Sequence, residues 1–153
     1  MSEPVTTPET ISKRLGRAWV FLAAMLAVHV ADEALTGFLA FYNPIVLEVR
    51  ARVPWLPLPT FTFPVWIVGL AVAIALLFAL TPLAYRGRRW LAGVAVVLAA
   101  IMLANALGHI GGSLYFGRIL PGAYSSPLLL VAAARLLPRA WRRWRAGRLL
   151  GPA

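Results

Sequence analysis

The chain has 153 residues, of which 61% are hydrophobic and only 13% charged, with no cysteine and a formal net charge of +10. A soluble domain carries roughly a quarter charged residues, so a chain this short and this apolar cannot cover itself with polar surface in water. Disulfides and thiolate metal sites are excluded, and the basic residues sit in short clusters between long apolar runs, as at membrane flanks and not as on a nucleic-acid-binding surface.

Residues 1–16 are polar at first and basic at their end, and are expected to form a disordered basic tail. Lys13, Arg14 and Arg17 then precede an apolar run from Ala18 to Tyr42, interrupted only by His29, Asp32 and Glu33. A cleaved leader needs small residues at its last and third-from-last positions. Leaders ending at Ala27, Ala31 or Ala34 would place Met25, His29 or Asp32 at the latter, so this first span is expected to be retained. Asn43 and Pro44 are expected to end it. Pro54, Pro57 and Pro59 predict a non-helical connection as far as Thr60, because proline breaks a regular hydrogen-bond ladder.

The second span is expected from Phe61 to Tyr85, with Pro64 in its first turn and Pro82 near its close. A tight basic turn, Arg86-Gly87-Arg88-Arg89, leads to a third span from Trp90 to Gly112. Ser113 to Gly122 reads as a loop ending on the turn pair Pro121-Gly122. The fourth span, Ala123 to Leu137, is short and is expected to tilt or to thin the bilayer. Residues 17–138 thus form the membrane domain. Residues 139–153, with Trp141, Trp144 and several arginines, form a basic interfacial tail suited to anionic lipids.

The expected fold is therefore all-α, an integral membrane bundle of about four transmembrane helices. Lys and Arg concentrate before the first span, between the second and third, and after the fourth, which places both termini in the cytoplasm. The expected setting is the cell (plasma or inner) membrane, crossed several times, with the lipid bilayer as partner and nucleic acid excluded. Assembly into a homo-oligomer is left open.

Both histidines of the chain lie in expected spans, and two of its five carboxylates share a span with one of them. Helical geometry stacks His29 on Glu33, with Asp32 on the flank of the same face, and stacks Asn105 on His109, with Ser113 in line if the helix persists. His29 to Glu33 lie roughly 16–23 Å along their helix, and Asn105 and His109 roughly 22–29 Å along theirs. The two helices are parallel in this topology, so the polar stripes meet at one level. Carboxylates buried in hydrocarbon cost a few kcal/mol each unless they face the bundle interior and meet a cation or a proton.

His29, Glu33 and His109 are the expected metal ligands, with Zn or Fe ahead of Mn. Asp32 and Glu33 are the candidate catalytic groups, Asp32 as a fourth ligand, an orienting group or a general base. Asn105, Asp32 and Ser113 are candidates for orienting ligands or binding substrate. No nucleotide cofactor is expected, since no phosphate-cradling glycine loop is present. The leading expectation is a metal-dependent hydrolase or oxygenase acting on a lipid or other apolar substrate. Two others stand beside it: a proton-coupled carrier or small-molecule binding protein, and a structural or accessory subunit whose polar pair fixes helix pairing.

With these residues placed, the sequence resembles the bacterial membrane family named for its HXXEE motif. Here that motif stands as His29-Val30-Ala31-Asp32-Glu33, with Asp in place of the first Glu. Asn105-Ala106-Leu107-Gly108-His109 and the Pro121-Gly122 turn carry the likeness further, from about Ala18 to Pro138. The Asp-for-Glu exchange keeps the charge and shortens the reach by one methylene. The resemblance implies the membrane architecture and singles out the same residues; it implies no reaction.

Overall fold

The computed structural model describes residues 8–149. Among them the chain forms six helices and no strand: α1 (Pro8–Leu35), α2 (Phe38–Arg52), α3 (Phe63–Ala79), α4 (Thr81–Tyr85), α5 (Arg89–Tyr115) and α6 (Ser126–Leu149). Two stretches, Glu9–Leu35 and Arg89–Phe116, are long and apolar enough to cross a membrane, and α3 is a shorter apolar helix.

The long segments alternate in direction. Near the start of α1, the Trp19 indole Nε1–H donates to the Leu77 carbonyl of α3 at 2.7 Å, and Gly16 lies against the ring of Tyr85 at the end of α4. Near the end of α1, its side chains meet the late turns of α5 and the approach to α6. So α1 and α5 run one way, and α3–α4 and α6 the other. The expected basic clusters thereby gather at one end: the space beside Gly87 is filled by Ser12 and Arg143, and that beside Gly93 by Trp144.

Packing follows from small residues and one stripe. α5 lies closest to α6, and α1 packs on α6, α4 and α3. Ala92, Ala95, Ala99 and Ala106 of α5 and Ala132, Ala133 and Ala140 of α6 are almost fully buried, so these backbones approach closely. On α1 the buried stripe runs through Leu15, Trp19, Leu22 and Leu26 and continues, at helical spacing, into His29 and Glu33. The register that buries the leucines therefore also buries the imidazole and the carboxylate. Outward, α3 exposes Val65, Val68, Val72 and Leu76, and α5 exposes Val94, Val97 and Ile101. Exposed apolar surface of this extent marks a face for membrane or protein contact.

Several expected boundaries are corrected. Of the 1–16 tail, residues from Pro8 onward are helical, held by the Lys13–Glu9 ion pair at 2.6 Å and by the burial of Leu15; residues 1–7 lie outside the described residues. The first apolar run is not one helix. Gly37 takes a left-handed conformation (φ 77°) that ends α1, and α2 restarts at Phe38. Pro44 does not end a helix but lies inside α2, so residues 43–52, expected to be non-helical, are helical. Asn43 instead clamps the connection, donating to the Phe61 carbonyl at 2.9 Å and accepting from the Phe61 N–H at 3.1 Å. α5 continues three residues past Gly112, through Ser113 to Tyr115, and α6 begins at Ser126 and passes Pro138 without a break. Residue 138, where the membrane domain is expected to end, lies within α6.

Candidate functional site

The late turns of α1 supply His29, Asp32, Glu33 and Thr36. The left-handed Gly37 then breaks the helix, and Phe38, first residue of α2, packs 5.8 Å from the His109 ring and 5.8 Å from Trp66 (centroid to centroid). α5 supplies Asn105 and His109. The turn before α6 supplies Gly122 and Ser125, and Ser126 is the first residue of α6; the Ser125 carbonyl accepts from Leu128 and Leu129 N–H.

Glu33 sits between the two imidazoles. Its Oε1 is 3.1 Å from His109 Nε2 and 3.6 Å from His29 Nε2. The rings meet edge to face at 5.0 Å between centroids. His29, Glu33 and His109 are only 1%, 6% and 9% exposed, so they interact in a medium where charge is weakly screened. The backbones of α1 and α5 are not among the closely packed helix pairs; these side chains bridge the gap.

A second set of bonds fixes His29. Ser125 Oγ donates to Asp32 Oδ2 at 2.7 Å, and the Ser125 N–H donates to the same oxygen at 2.8 Å. A hydroxyl has one hydrogen, and an ionised carboxylate only accepts. The 2.9 Å contact between His29 Nδ1 and Ser125 Oγ is then a bond in which Nδ1–H donates. In a neutral ring this leaves the Nε2 lone pair facing the interior, where the Asn105 amide donates to it at 2.9 Å. Around this chain, Thr36 Oγ1 accepts from the Gly122 N–H at 3.3 Å, and Ser126 Oγ donates to the Gly122 carbonyl at 2.7 Å. Gly122 has φ 81°, and a Cβ there would stand 2.9 Å from both Glu33 Cγ and His109 Cε1. Glycine is required for conformation and for space.

His29, Glu33 and His109 form a group that could hold a metal ion, with one ligand atom from each within 4.8 Å of the others. Tetrahedral zinc with ligand bonds near 2.0–2.1 Å spaces its ligand atoms about 3.3 Å apart. The two separations from Glu33 Oε1, 3.1 and 3.6 Å, straddle that value, and the two imidazole nitrogens lie within 4.8 Å of each other. The donor chemistry fits as well: two imidazoles, one carboxylate, and a hydrogen-bonded acid behind one imidazole. For a metal to take the His29 Nε2 lone pair, the half-buried Asn105 amide has to swing aside.

The expected residues divide cleanly. His29, Glu33 and His109 come together as anticipated. Asp32 does not join them; it turns to Ser125 and reaches His29 through that hydroxyl. Asn105 contacts His29 on the other helix, not its own helical neighbour His109. Ser113 stays outside the cluster: its hydroxyl donates to the His109 carbonyl at 2.7 Å and accepts from the Leu120 N–H at 3.0 Å, bracing the loop after α5. Ser125 and Phe38 escaped the sequence reading. A Ser-Ser-Pro start after a Pro-Gly turn marks Ser125 as a helix cap, but no local pattern says that its hydroxyl faces a histidine.

The family described as "Protein of unknown function with HXXEE motif" has a model that matches residues 19–136, a stretch holding every side chain of the cluster. No curated protein and no solved structure matches the chain.

Proposed function

The chain belongs to the family of proteins of unknown function with an HXXEE motif, and we propose that it is a multi-pass membrane enzyme that holds a divalent metal on His29, Glu33 and His109 and acts on an apolar substrate. The observation that carries this reading is the gathering of three buried ligating side chains from two helices into one site. Buried ionisable groups in apolar helices are expensive to keep without a task.

The membrane part of the reading rests on α1 and α5 as two spans, with α3–α4 and α6 as the other two, and on the outward apolar rows of α3 and α5. The end where basic clusters gather is then cytoplasmic, with both termini there, and the cell membrane is the setting. The cluster lies toward the opposite end of α1, in the outer half of the bilayer.

Zn or Fe suits the donor set ahead of Mn; zinc would supply activated water for hydrolysis, and iron would supply dioxygen chemistry for an oxygenase. The protein's own residues do the rest. Asp32 and Ser125 hold the His29 ring in the orientation that presents Nε2. Glu33 neutralises positive charge between the imidazoles. Asp32 also borders a shallow, open apolar groove lined by Val28, Ala31, Leu35 and Leu128. There its carboxylate is placed to take or return a proton, and the apolar walls suit an acyl or other hydrocarbon portion.

Elemental analysis of the purified protein tests the reading, with His29→Ala and His109→Ala as controls. About one metal per chain is expected in the wild type and much less in either variant. Wild type that binds no stoichiometric divalent metal, purified without chelator and then titrated with Zn²⁺, Fe²⁺ and Mn²⁺, overturns it.

One observation favours a second reading. Asp32, Ser125 and His29 are joined by hydrogen bonds, and Glu33 Oε1 lies 3.6 Å beyond His29 Nε2 and 3.1 Å from His109, so polar groups line up from the groove to the interior. In a proton-coupled carrier that row of groups would be the relay. It predicts pH-driven uptake in liposomes without metal, and loss of that uptake in Glu33→Gln.

A further inference from the structure

Toward the opposite end of the α1–α6 pair from the histidines, five guanidinium groups line one cleft of about 300 Å³. Arg14 and Arg17 come from α1, one turn apart. Arg135, Arg139 and Arg142 come from one face of α6, and Phe21 completes the wall. The two helices are antiparallel, so the early turns of one meet the late turns of the other. That alone brings together arginines that lie far apart in sequence.

The cleft is partly prearranged. Arg135 stacks over the Phe21 ring, 5.5 Å from its centroid, and Arg139 donates to the Arg135 carbonyl. None of the five pairs with a carboxylate among the described residues. Glu9 is taken by Lys13, Glu48 by Arg52, Glu33 by the histidines, and Asp32 by Ser125. Five like charges around one concavity repel one another, and the low-dielectric wall strengthens the field that they share. An anion relieves that repulsion. Guanidinium offers paired N–H donors whose fork matches the oxygens of a phosphate. Immediately beyond the cleft, from Ala18 onward, α1 becomes apolar, so a phosphate held here lies where a hydrocarbon chain can continue along the helix.

We propose that this cleft is a phosphate-binding site, filled by the phosphate of an anionic lipid or by a soluble phosphate. The site is independent of the histidine cluster and of any metal bound there.

The test uses full-length protein in two arms. In one, protein in nanodiscs of phosphatidylcholine doped with phosphatidylglycerol or phosphatidic acid is assayed for lipid retention by native mass spectrometry. In the other, detergent-solubilised protein is titrated calorimetrically with inorganic phosphate and pyrophosphate at physiological ionic strength. The double variant Arg14→Gln/Arg139→Gln is expected to bind about tenfold or more weakly, by loss of charge-assisted bonds. Arg50→Gln/Arg118→Gln, which removes the same charge elsewhere, is expected to bind as wild type does. Arg139→Lys keeps the charge but loses the fork, and is expected to weaken binding several-fold. Retention of lipid assigns the site to headgroups, and binding in the calorimetric arm assigns it to soluble phosphate. Equal loss in both double variants, wild-type binding by Arg14→Gln/Arg139→Gln, or no binding in either arm overturns the proposal.

Discussion

Glu33 Oε1 and His109 Nε2 stand 3.1 Å apart across two helices whose backbones are not close neighbours. The contact closes a space that apolar side chains would otherwise fill, and it does so with a carboxylate that also reaches His29. His29, Glu33 and His109 meet through that pair.

Replacing Glu33 by Gln keeps the shape and removes the charge. The variant is expected to keep its helical circular dichroism and to lose affinity for a divalent cation by about tenfold or more, since a neutral amide is a poor partner for a metal held by two imidazoles. Metal content after dialysis, measured beside wild type, checks it. Unchanged stoichiometry and affinity would remove Glu33 from the ligand set.

Ser125→Ala deletes the hydroxyl between His29 and Asp32 but leaves the backbone N–H of residue 125 on Asp32. The His29 Nδ1–H is left without its acceptor. Groups behind a metal-bound histidine are worth roughly 10–100-fold in affinity, so a loss in that range is expected in a chelator competition titration. A loss as complete as that of His29→Ala would make Ser125 something more than a support for the ring.

Two glycines with left-handed φ offer a matched comparison. Gly37 (φ 77°) has nothing within 4 Å of where a Cβ would stand, whereas at Gly122 (φ 81°) a Cβ meets Glu33 and His109 at 2.9 Å. Gly37→Ala is expected to cost about 1–2 kcal/mol from backbone conformation alone. Gly122→Ala is expected to cost about 1–3 kcal/mol more, from overpacking. Thermal unfolding in the same detergent measures both, and equal shifts for the two variants would refute the crowding at Gly122.

At the basic end, a Cβ at Gly16 would stand 2.5 Å from the Tyr85 ring. In an open helix Ala is better than Gly by about 1 kcal/mol. Here the sign should reverse, with Gly16→Ala destabilising by about 1–3 kcal/mol. Removing the ring as well relieves the clash, so the double variant Gly16→Ala/Tyr85→Ala should be less destabilised than the two single losses added together. Simple additivity would show that α1 and α4 do not press on each other there.

Local periodicity made part of the site legible. The spacing of His29 and Glu33, and of Asn105 and His109, follows from the helical repeat, and the apolar runs around them required helices. Proline and glycine were harder. Pro44, expected to end a helix, lies within one, while Gly37 is where α1 stops. A left-handed turn depends on what the chain must pack against beyond it, here Phe38 against His109 and Trp66.

Composition and repeat by themselves pointed to a helical chain and to His29 stacked on Glu33 and Asn105 on His109, because backbone hydrogen bonding and side-chain periodicity act between residues close in sequence. Only the tertiary structure decided which neighbour each polar group takes: Asp32 to Ser125, Asn105 to His29, and the arginines of α1 to those of α6. Those choices are made between helices, where antiparallel packing and side-chain reach set the partners, and no repeat along the chain encodes them.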